Sequence, residues 1–394
     1  MNMASHPQRR SAAPRIQIFV SDLSATGVVR NALAIANQAA ASGYEVRLFT
    51  CRPDGVLRSQ LRADVTLVKL LKGADSGRAR RLELKHALAE YRRHTRRWRP
   101  DVMLSAGNHG HLLSTFAWLG LPGAKVLRIS NDLAHGSPSA AVRLWRDLKF
   151  RMISGLADRL VLVSRARGAH PLLARHLATG KALVIPNGVD VEAVRAACGV
   201  PCPHPWTGDD SIPTVLAVGR HVRQKNFDTL LRAFAVARAR QPMRLLFLGG
   251  SNKAEMARLA SLARELTIRD AIDFIPPTAN PFPYMAAAHV VALPSLWEGS
   301  SNVLLEAMAC GTPVIASLTA GDAGHVLGEG QFGVLVDPHD VEGLAGALVR
   351  QTDGHPIGPG ARASLFGRSN ALNHYVRMFD QLVEAKSDLS LQPA

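Results

Sequence analysis

The chain is poor in cysteine, in aromatic residues and in long apolar runs. Only 4 of its 394 residues are cysteine, and 5% are aromatic. So few cysteines, with no second pair to match the close spacing of Cys198 and Cys202, exclude a disulfide scaffold and indicate reduced thiols. No stretch approaches the length of a membrane-spanning helix, and the apolar run at residues 16–20 is shorter than a signal-peptide core. We therefore expect a cytoplasmic protein.

The chain also has too few acidic residues to balance its basic ones. It contains 47 Lys and Arg residues against 31 Asp and Glu, which gives a net charge of +16. A field of this sign favours polyanions, namely nucleic acid, acidic lipid surfaces or anionic ligands. The scarcity of aromatic residues leaves little stacking platform for nucleic acid, so we expect no specific nucleic-acid partner. A basic protein that binds nucleic acid through charge alone remains an alternative from a different functional class.

Two segments carry much of the excess charge. The first holds the cations Arg78, Arg80, Arg81, Lys85, Arg92, Arg93, Arg96, Arg97 and Arg99. The second holds Arg143, Arg146, Lys149 and Arg151, which are interleaved with Leu144, Trp145, Leu148 and Phe150. A solvated helix face explains either segment alone. Together, because apolar residues accompany the cations, they predict that the N-terminal half docks on an anionic membrane leaflet.

Short β-type runs alternate with helical stretches along the whole chain. In the first half the predicted strands cover residues 15–20, 45–50, 65–70, 101–105, 125–129, 159–163 and 182–185. In the second half they cover residues 214–218, 244–248, 271–275, 290–293, 313–316 and 333–336. Such alternation predicts an α/β fold with parallel sheets covered by helices on both faces. One sheet of this size is improbable, so we expect two Rossmann-like sheets.

The composition divides the chain into three parts. The segment 197–213, with its prolines, glycines and cysteines, has the composition of a connection between two domains. We predict an N-terminal domain at residues 1–190 and a C-terminal domain at residues 191–368. We expect residues 369–394 to form a last helix that returns to the first domain.

The most informative stretch of the chain spans residues 294–315. It follows the apolar run at 290–293, which suits a buried parallel strand, and Gly299 then allows the backbone to turn sharply beside a ligand. A helix is predicted to start at the small polar residues Ser300, Ser301 and Asn302. Because the first N–H groups of a helix have no partner within it, this loop is a natural site for phosphate oxygens.

Two carboxylates flank this predicted helix start. Glu298 and Glu306 are separated by seven residues. A carboxylate beside a phosphate is electrostatically unfavourable, so both are expected to serve another purpose, such as binding sugar hydroxyls. Without the residues around them, two solvated glutamates on a βαβ unit would be the simpler explanation.

Together with the residues around them, Glu298 and Glu306 resemble the Glu-x7-Glu signature of a known family. Pro294-Ser295 precedes the first glutamate, and Glu306-Ala307-Met308-Ala309-x-Gly311-x-Pro313 completes the string. The segment is similar to that of the retaining glycosyltransferases of family 4 (group 1), which have the GT-B architecture of two Rossmann-like domains facing across a cleft. The resemblance implies that Glu306 binds the ribose hydroxyls of a nucleotide and that Glu298 lies near the donor sugar.

A second signature of the same family follows the strand at 214–218. Gly219 and Arg220 end the strand, and Lys225 lies five residues beyond the arginine. Fixed cations lower the barrier when a nucleotide diphosphate leaves with its negative charge. The guanidinium of Arg220 can bind two phosphate oxygens at once, and Lys225 can act as a mobile positive charge. The alternative is that both are ordinary surface cations. The chain lacks the Asp-x-Asp dyad of metal-dependent nucleotide-sugar enzymes, so we expect no metal and no cofactor besides a nucleotide-diphosphate sugar as co-substrate.

The resemblance also implies ligand contacts in the first domain. Gly27 lies in the turn after the first strand, where many members have two adjacent glycines, and a plain turn is the alternative. Members often place a histidine after the fourth strand, near the anomeric carbon, for which His109 is the first choice and His111 the second. The next loop toward the cleft contains Ser130, Asn131, Asp132 and His135.

The expected reaction is sugar transfer with retained anomeric configuration to a lipid-linked or cell-envelope glycan. In the front-face attack usually assigned to the family, the departing phosphate takes the proton from the acceptor hydroxyl, so catalysis consists of positioning and electrostatics. Closure of the two domains about residues 187–190 and the start of the last helix would exclude water. A sugar-nucleotide epimerase or hydrolase of the same fold, which needs no acceptor, remains an alternative.

Overall fold

The structure is a computed structural model that describes residues 13–24, 26–55, 57–71, 80–130, 139–208, 211–250 and 252–391. The strands of the first domain are β1 (Arg15–Asp22), β2 (Glu45–Arg52), β3 (Thr66–Lys69), β4 (Val102–Ser105), β5 (Ala124–Ile129), β6 (Arg159–Leu162) and β7 (Ala182–Val184). Those of the second are β8 (Thr214–Val218), β9 (Arg244–Leu248), β10 (Ile272–Ile275), β11 (Val290–Leu293), β12 (Val314–Ser317) and β13 (Val334–Val336). Every predicted strand is present, and its ends lie within two residues of the predicted ones.

The strands form two separate sheets rather than one. The 7-stranded sheet has the order β3-β2-β1-β4-β5-β6-β7, and the 6-stranded sheet has the order β10-β9-β8-β11-β12-β13. Within the described residues, every pair of neighbouring strands in these sheets is parallel. Each order reverses its direction beside its first strand, and such points are where ligands bind in open α/β sheets. The prediction of two parallel α/β domains is confirmed.

Helices connect the strands and cover both faces of each sheet. Those of the first domain are α1 (Gly27–Ala41), α2 (Arg80–Trp98), α3 (His111–Trp118), α4 (Ala140–Leu156) and α5 (Pro171–Ala178). The remainder are α6 (Val191–Cys198), α7 (Phe227–Arg240), α8 (Lys253–Glu265), α9 (Phe282–Ala287), α10 (Asn302–Ala309), α11 (Ala323–Val326), α12 (Val341–Thr352) and α13 (Arg368–Leu391). Because helices exclude water from both faces, β4, β11 and β12 are buried at every position.

Short polar side chains fix the start of several helices. Thr26 accepts a hydrogen bond from the backbone N–H of Val29 at the start of α1. Asp190 caps α6 through the N–H of Ala193 at 3.0 Å. A side-chain oxygen at this position satisfies one of the N–H groups that a helix leaves without a partner. The local sequence therefore determines where α1 and α6 begin.

The last helix packs on the first sheet. Tyr375 and Phe379 of α13 belong to the same buried cluster as Ile16 and Ile18 of β1. Before reaching it, the chain runs beside the connection between the domains: the N–H of Val189 donates to Phe366 O at 2.8 Å, and the N–H of Arg368 donates to Val189 O at 2.9 Å. The two crossings between the domains are thus adjacent.

Parts of the basic segments fall outside what the structure describes. Arg78 lies outside the described residues, and the side chains of Arg80, Arg81 and Lys85 lie outside the described side chains. Among the helices in the described ranges, none combines the length and the apolarity that crossing a membrane requires.

Candidate active site

The loop after β8 folds back so that a lysine covers a glycine. Gly219 has a φ of +146°, and a Cβ built on it would lie 2.7 Å from Lys225 Cε. The chain returns through the short turn Arg223–Lys225 and through Asn226, whose φ of 55° is left-handed. A larger residue at position 219 would collide with the Lys225 side chain. The position of this side chain therefore depends on Gly219.

The ammonium group of Lys225 contacts the first glutamate of the Glu-x7-Glu string. Lys225 Nζ lies 2.7 Å from Glu298 Oε1, and the two side chains are only 14% and 10% exposed. Ser295 Oγ donates to the same oxygen at 2.8 Å, and Gln224 Nε2 donates to the other at 3.3 Å. A carboxylate has about four lone-pair positions, so these contacts use most of them. In this conformation Glu298 positions Lys225.

Hydrogen bonds to backbone carbonyl groups tie the β8 loop to the β11 loop and to the chain after β13. Asn226 Nδ2 donates to Pro294 O at 3.0 Å and to Pro338 O at 2.7 Å. The N–H of Leu296 donates to Gln224 O at 2.9 Å. Arg220 is exposed at the same end of β8, so its guanidinium is accessible to a ligand. The two signatures therefore meet at one edge of the second sheet.

The start of α10 leaves its positive end open. Ser301 occupies the N-cap position, but its hydroxyl donates to Ala320 O at 2.9 Å instead of capping the helix. Gly299 and Ser300 form the loop before it, and a Cβ built on Gly321 would lie 3.2 Å from Gly299 O. The positive end of the helix dipole therefore suits a phosphate group.

Glu306 lies in the second turn of α10, where the charges of three cations act on its carboxyl group. Burial raises the pKa of its carboxyl above the ordinary value of 4.5, and the charges of Arg30, Arg368 and Lys225 partly offset this rise. These cations come from α1, from the start of α13 and from the β8 loop. A carboxylate with little hydration gains from a hydrogen-bond donor such as a hydroxyl group.

Gly27 of the first domain touches the start of α10 in the second. A Cβ built on Gly27 would lie 2.6 Å from Asn302 Nδ2, so a larger residue at this position would displace the Asn302 side chain. Asn302 Oδ1 in turn accepts a hydrogen bond from Asn187 Nδ2 at 2.8 Å. Asn302 is therefore the point where the first domain, the connecting segment and the second domain meet.

A buried arginine holds the connecting segment against the first domain. Arg128 is 1% exposed. Its Nε donates to Tyr375 Oη at 3.1 Å, its Nη1 donates to Ala106 O at 3.0 Å, and its Nη2 donates to Asn187 Oδ1. These acceptors are neutral, and together they compensate part of the cost of burying the charge. Arg128 thus links α13, the loop after β4 and the connection to the second domain.

A second contact joins the domains on the other side of the connection. The carboxylate of Asp322, just before α11, accepts hydrogen bonds from Ser164 Oγ at 2.9 Å, from the N–H of Arg165 at 2.7 Å and from the N–H of Ala166 at 2.8 Å. The acid therefore binds the polar loop that follows β6.

The structure separates the two candidate histidines. His111 is 3% exposed, and its Nδ1 lies 2.8 Å from Ser105 Oγ. Burial lowers the pKa of His111 to about 3, so the ring is neutral and part of the core. His109 is exposed in a loop that adjoins the start of α1, because a Cβ built on Gly107 would lie 2.7 Å from Val28 Cγ1. Of the two, His109 is the one accessible to a ligand.

The loop after β5 is described only at its start. The N–H of Ser130 donates to Asn108 Oδ1 at 2.9 Å, which fixes the loop that carries His109. Asn131, Asp132 and His135 lie outside the described residues.

Sequence reasoning missed Arg30, Arg128, Asp322 and Arg368. Arg30 lies three residues after Gly27 in the first turn of α1, so helical spacing was a usable signal. Arg128 lies in a strand and bonds to Tyr375, 247 residues away, which no local pattern indicates. Asp322 likewise bonds across 158 residues.

The described part of the chain contains no group of three His, Cys, Asp or Glu residues placed to bind a metal ion. All four cysteines are free, and Cys198 Sγ lies 3.2 Å from Cys310 Sγ rather than beside Cys202.

Two family models match adjoining parts of the chain. Residues 212–353 match the model described as glycosyl transferases group 1, and residues 25–193 match the model described as glycosyltransferase family 4. The matched residues contain the signatures around Gly219 and Glu298 and most strands of both sheets.

Curated relatives match over about half of the chain. The D-inositol 3-phosphate glycosyltransferase of Rhodococcus erythropolis is 34% identical over 206 residues, which are 50% of this chain and 45% of the relative. The protein of the same name from Acidothermus cellulolyticus is 38% identical over 181 residues, which are 43% and 39% of the two chains. The match thus spans less than half the length of these relatives.

Solved structures match over nearly the whole chain. Sucrose-phosphate synthase from Thermosynechococcus elongatus has a TM-score of 0.74 at 22% identity, covering 94% of this chain and 100% of the other. Anabaena HepE, in complex with UDP and glucose, has a TM-score of 0.73 at 17% identity, covering 93% and 100%. At these identities the likeness shows a shared fold.

Proposed function

Because this chain belongs to family 4 (group 1) of the glycosyltransferases and has the GT-B fold, we propose that it transfers a sugar from a nucleotide-diphosphate donor to an acceptor hydroxyl with retained anomeric configuration. One observation carries the proposal. Lys225, Glu298 and the open end of α10 lie at the carboxyl edge of the second sheet, where Gly27 of the first domain contacts Asn302 at the start of α10. Ligands of open α/β sheets bind at such edges.

The donor is held by its pyrophosphate and by its ribose. Arg220, Lys225 and the start of α10 bind the pyrophosphate, whose negative charge matches two cations and a helix dipole. Glu306 accepts hydrogen bonds from the ribose hydroxyls, which relieves its poor solvation. Lys225 then lies between Glu298 and the phosphate, so that its charge reaches the leaving group while Glu298 keeps its position.

The reaction needs no protein nucleophile. The bond between the anomeric carbon and the phosphate oxygen breaks, and the electron pair leaves with the nucleotide diphosphate. The acceptor oxygen forms its bond on the same face, and its proton passes to the departing phosphate oxygen. Arg220 and Lys225 stabilise the negative charge that develops on that phosphate, and His109 contacts the sugar near the anomeric carbon.

We further propose that transfer proceeds without a metal ion. The sequence lacks the Asp-x-Asp dyad, and the two cations of the β8 loop supply positive charge where a metal would otherwise stand. Full activity in the presence of EDTA is the expected result. Activity that is lost in EDTA and restored by Mg²⁺ would contradict this part of the proposal.

The acceptor is proposed to be a lipid-linked or cell-envelope glycan, modified on the cytoplasmic side, in agreement with four free thiols. The relatives named D-inositol 3-phosphate glycosyltransferase favour a second candidate, a phosphorylated polyol. The high positive charge of the chain suits either anionic acceptor.

The decisive experiment has two stages. Thermal-shift measurements with UDP-, GDP- and ADP-sugars identify the donor, since a bound donor raises the Tm by mass action. NMR then follows that donor alone, with D-inositol 3-phosphate, and with a lipid-linked sugar. We expect an acceptor-dependent product whose anomeric configuration equals that of the donor.

Two outcomes would contradict the proposal. Product formed from the donor alone, by hydrolysis or epimerisation, would favour the epimerase or hydrolase alternative. A product with inverted configuration would exclude the front-face mechanism while leaving glycosyl transfer in place.

A further inference from the structure

Helix α4 is apolar on two sides, and only one of them packs on the protein. Its buried residues are Phe150, Ile153 and Ser154. On the other side Leu144, Trp145 and Leu148 are 71%, 60% and 64% exposed. A surface helix of a globular protein turns one apolar stripe toward the core. The outward stripe of α4 therefore has no role in the packing of the described residues.

The neighbouring helix extends this apolar surface. Leu112 and Phe116 of α3 and Leu119 just after it are 37%, 42% and 48% exposed, and α3 packs beside α4. We define the α3–α4 patch as Leu112, Phe116, Leu119, Leu144, Trp145 and Leu148. Several exposed apolar side chains on two neighbouring helices indicate an interaction site, whereas single exposed leucines need no explanation.

Cations accompany the patch along α4. The helix contains the cations Arg143, Arg146, Lys149 and Arg151, and Asp147 is its single acid. Lys149 Nζ lies 5.0 Å from the centre of the Trp145 ring, so its ammonium group lies over the aromatic face. Long basic side chains arranged like this bury their stems in apolar surroundings while their charges reach polar ones.

A second set of cations lies on α2, which packs against α3 on the side of Leu119. Arg92 Nη1 donates to Leu119 O at 2.7 Å. Arg93, Arg96 and Arg97 are exposed, and with Ala89 and Arg92 they line a shallow, open depression on the surface. The positive charge of this depression suits an anionic headgroup.

We propose that the α3–α4 patch is a membrane-docking surface, which inserts into the headgroup region of an anionic lipid leaflet while the arginines of α2 bind acidic headgroups. A bilayer interface provides both an apolar layer and negative charge, and Trp145 suits the boundary between them. Nucleic acid would bind the cations but would not bury leucine side chains. A second copy of the chain would bring the cations of two patches together, which is electrostatically unfavourable.

The inference goes beyond the proposed function, and its test requires no activity. The full chain is sedimented with vesicles of phosphatidylcholine alone and with vesicles containing about 30% phosphatidylglycerol, at about 0.15 M salt. We expect binding to the anionic vesicles to be about tenfold tighter or more, and to weaken as the salt concentration rises.

Variants separate the patch from the general charge of the protein. Leu144→Ser combined with Leu148→Ser is expected to weaken binding to anionic vesicles about tenfold. The matched control combines Leu318→Ser with Leu365→Ser, which are 57% and 68% exposed in the second domain. The control is expected to bind like the wild type. Circular dichroism and the Tm check that both variants are folded.

A readout specific to Trp145 supplements the binding measurement. Brominated lipids quench tryptophan that enters the acyl boundary, so we expect quenching in the wild type and its loss in Trp145→Phe. Equal binding to neutral and anionic vesicles would overturn the proposal, as would equal binding of the patch variant and the control. A concentration-dependent dimer that the patch variant abolishes, without any vesicle binding, would assign the patch to self-association instead.

Discussion

In the second domain the proposed donor residues touch one another, whereas in the first domain the candidate residues stand on separate loops. Lys225 covers Gly219 and bonds to Glu298, so three residues from the loops after β8 and β11 form one unit. Gly27 and His109 follow β1 and β4, and their loops meet through Val28 and Gly107. The difference indicates that the proposed donor residues position one another directly, whereas Gly27 and His109 are positioned through neighbouring residues of their loops.

Asn302 joins the two regions. Asn302 starts the helix of the donor side, contacts Gly27 and accepts a hydrogen bond from Asn187. Since Asn187 is held by Arg128, a movement of the connection between the domains changes the position of Gly27 relative to α10. Substitutions on either side therefore test whether the regions act together.

The largest effect is expected on the donor side. Arg220→Ala, Lys225→Ala and Glu306→Ala should each lower kcat/KM for transfer about a hundredfold, or about 2.7 kcal/mol, because each removes a contact to the departing nucleotide. The measurement is initial-rate kinetics with the donor identified by thermal shift. Arg223→Ala removes an exposed cation of the same loop and is the matched control, expected to retain activity. Rates within a few-fold of the wild type in all three variants would contradict the placement of the donor site at this edge of the second sheet.

A smaller effect is expected from the histidine of the first domain. His109→Ala should lower kcat about tenfold, since one hydrogen bond to the sugar is worth about 1.4 kcal/mol. His109→Asn, which keeps a donor, should recover part of the loss. The control is His355→Ala, an exposed histidine beyond the end of α12. An unchanged kcat in His109→Ala would indicate that other residues of the first domain contact the sugar.

The contact between the domains should matter less than either side. Asn187→Ala removes the bonds to Arg128 and Asn302, and we expect a loss of about fivefold in kcat, or about 1 kcal/mol, without a change in donor preference. Asn373→Ala, which changes an exposed asparagine of α13, is the control. If the Tm fell while kcat stayed constant, the contact would serve stability alone.

The smallest effect concerns stability and has a defined sign. The pKa of Glu306 is raised in the folded state, so folding favours its protonated form, and stability is lost as pH rises above the ordinary value of 4.5. Glu306→Gln removes this loss, and its Tm should exceed that of the wild type by about 1–3 °C at pH 7. At pH 4 the two should agree. A Tm that is lower at pH 7 would show that the ionised carboxylate stabilises the fold.

The same substitution separates stability from function. Glu306→Gln is expected to transfer sugar more slowly because an amide accepts hydrogen bonds from ribose hydroxyls less strongly than a carboxylate does. A more stable and less active variant would match the known cost of placing a charge in a poorly hydrated site.

Local sequence patterns were sufficient to predict the strands and the two sheets. The strand positions followed from short apolar runs with turn residues between them, and both sheets formed where these runs indicated. The structure brings Gly219, Lys225 and Glu298 together because β8 and β11 are neighbouring parallel strands, so the loops after them lie at one edge of the sheet. What the patterns missed was the direct ion pair between Lys225 and Glu298, since side-chain direction within a loop depends on contacts such as that of Asn226 with Pro338.

The histidines show the same limit in the first domain. Both His109 and His111 stand in the loop or helix start after β4, and the sequence could not separate them. The structure buries His111 on Ser105 and exposes His109 because α3 turns its first residue toward the core. Whether a histidine is buried depends on how the helices and strands pack. The spacing of residues in the sequence does not reveal this packing.

By itself the sequence determined the strand–helix alternation, the division into two sheets and the donor-side signatures, because hydrophobic period and turn residues act over a few positions. Only the tertiary structure decided that Arg128 bonds to Tyr375 across 247 residues, and that α4 buries Phe150 while Leu144 and Leu148 face outward. The physical reason is that packing between distant segments determines which side chains lose water and which charges meet.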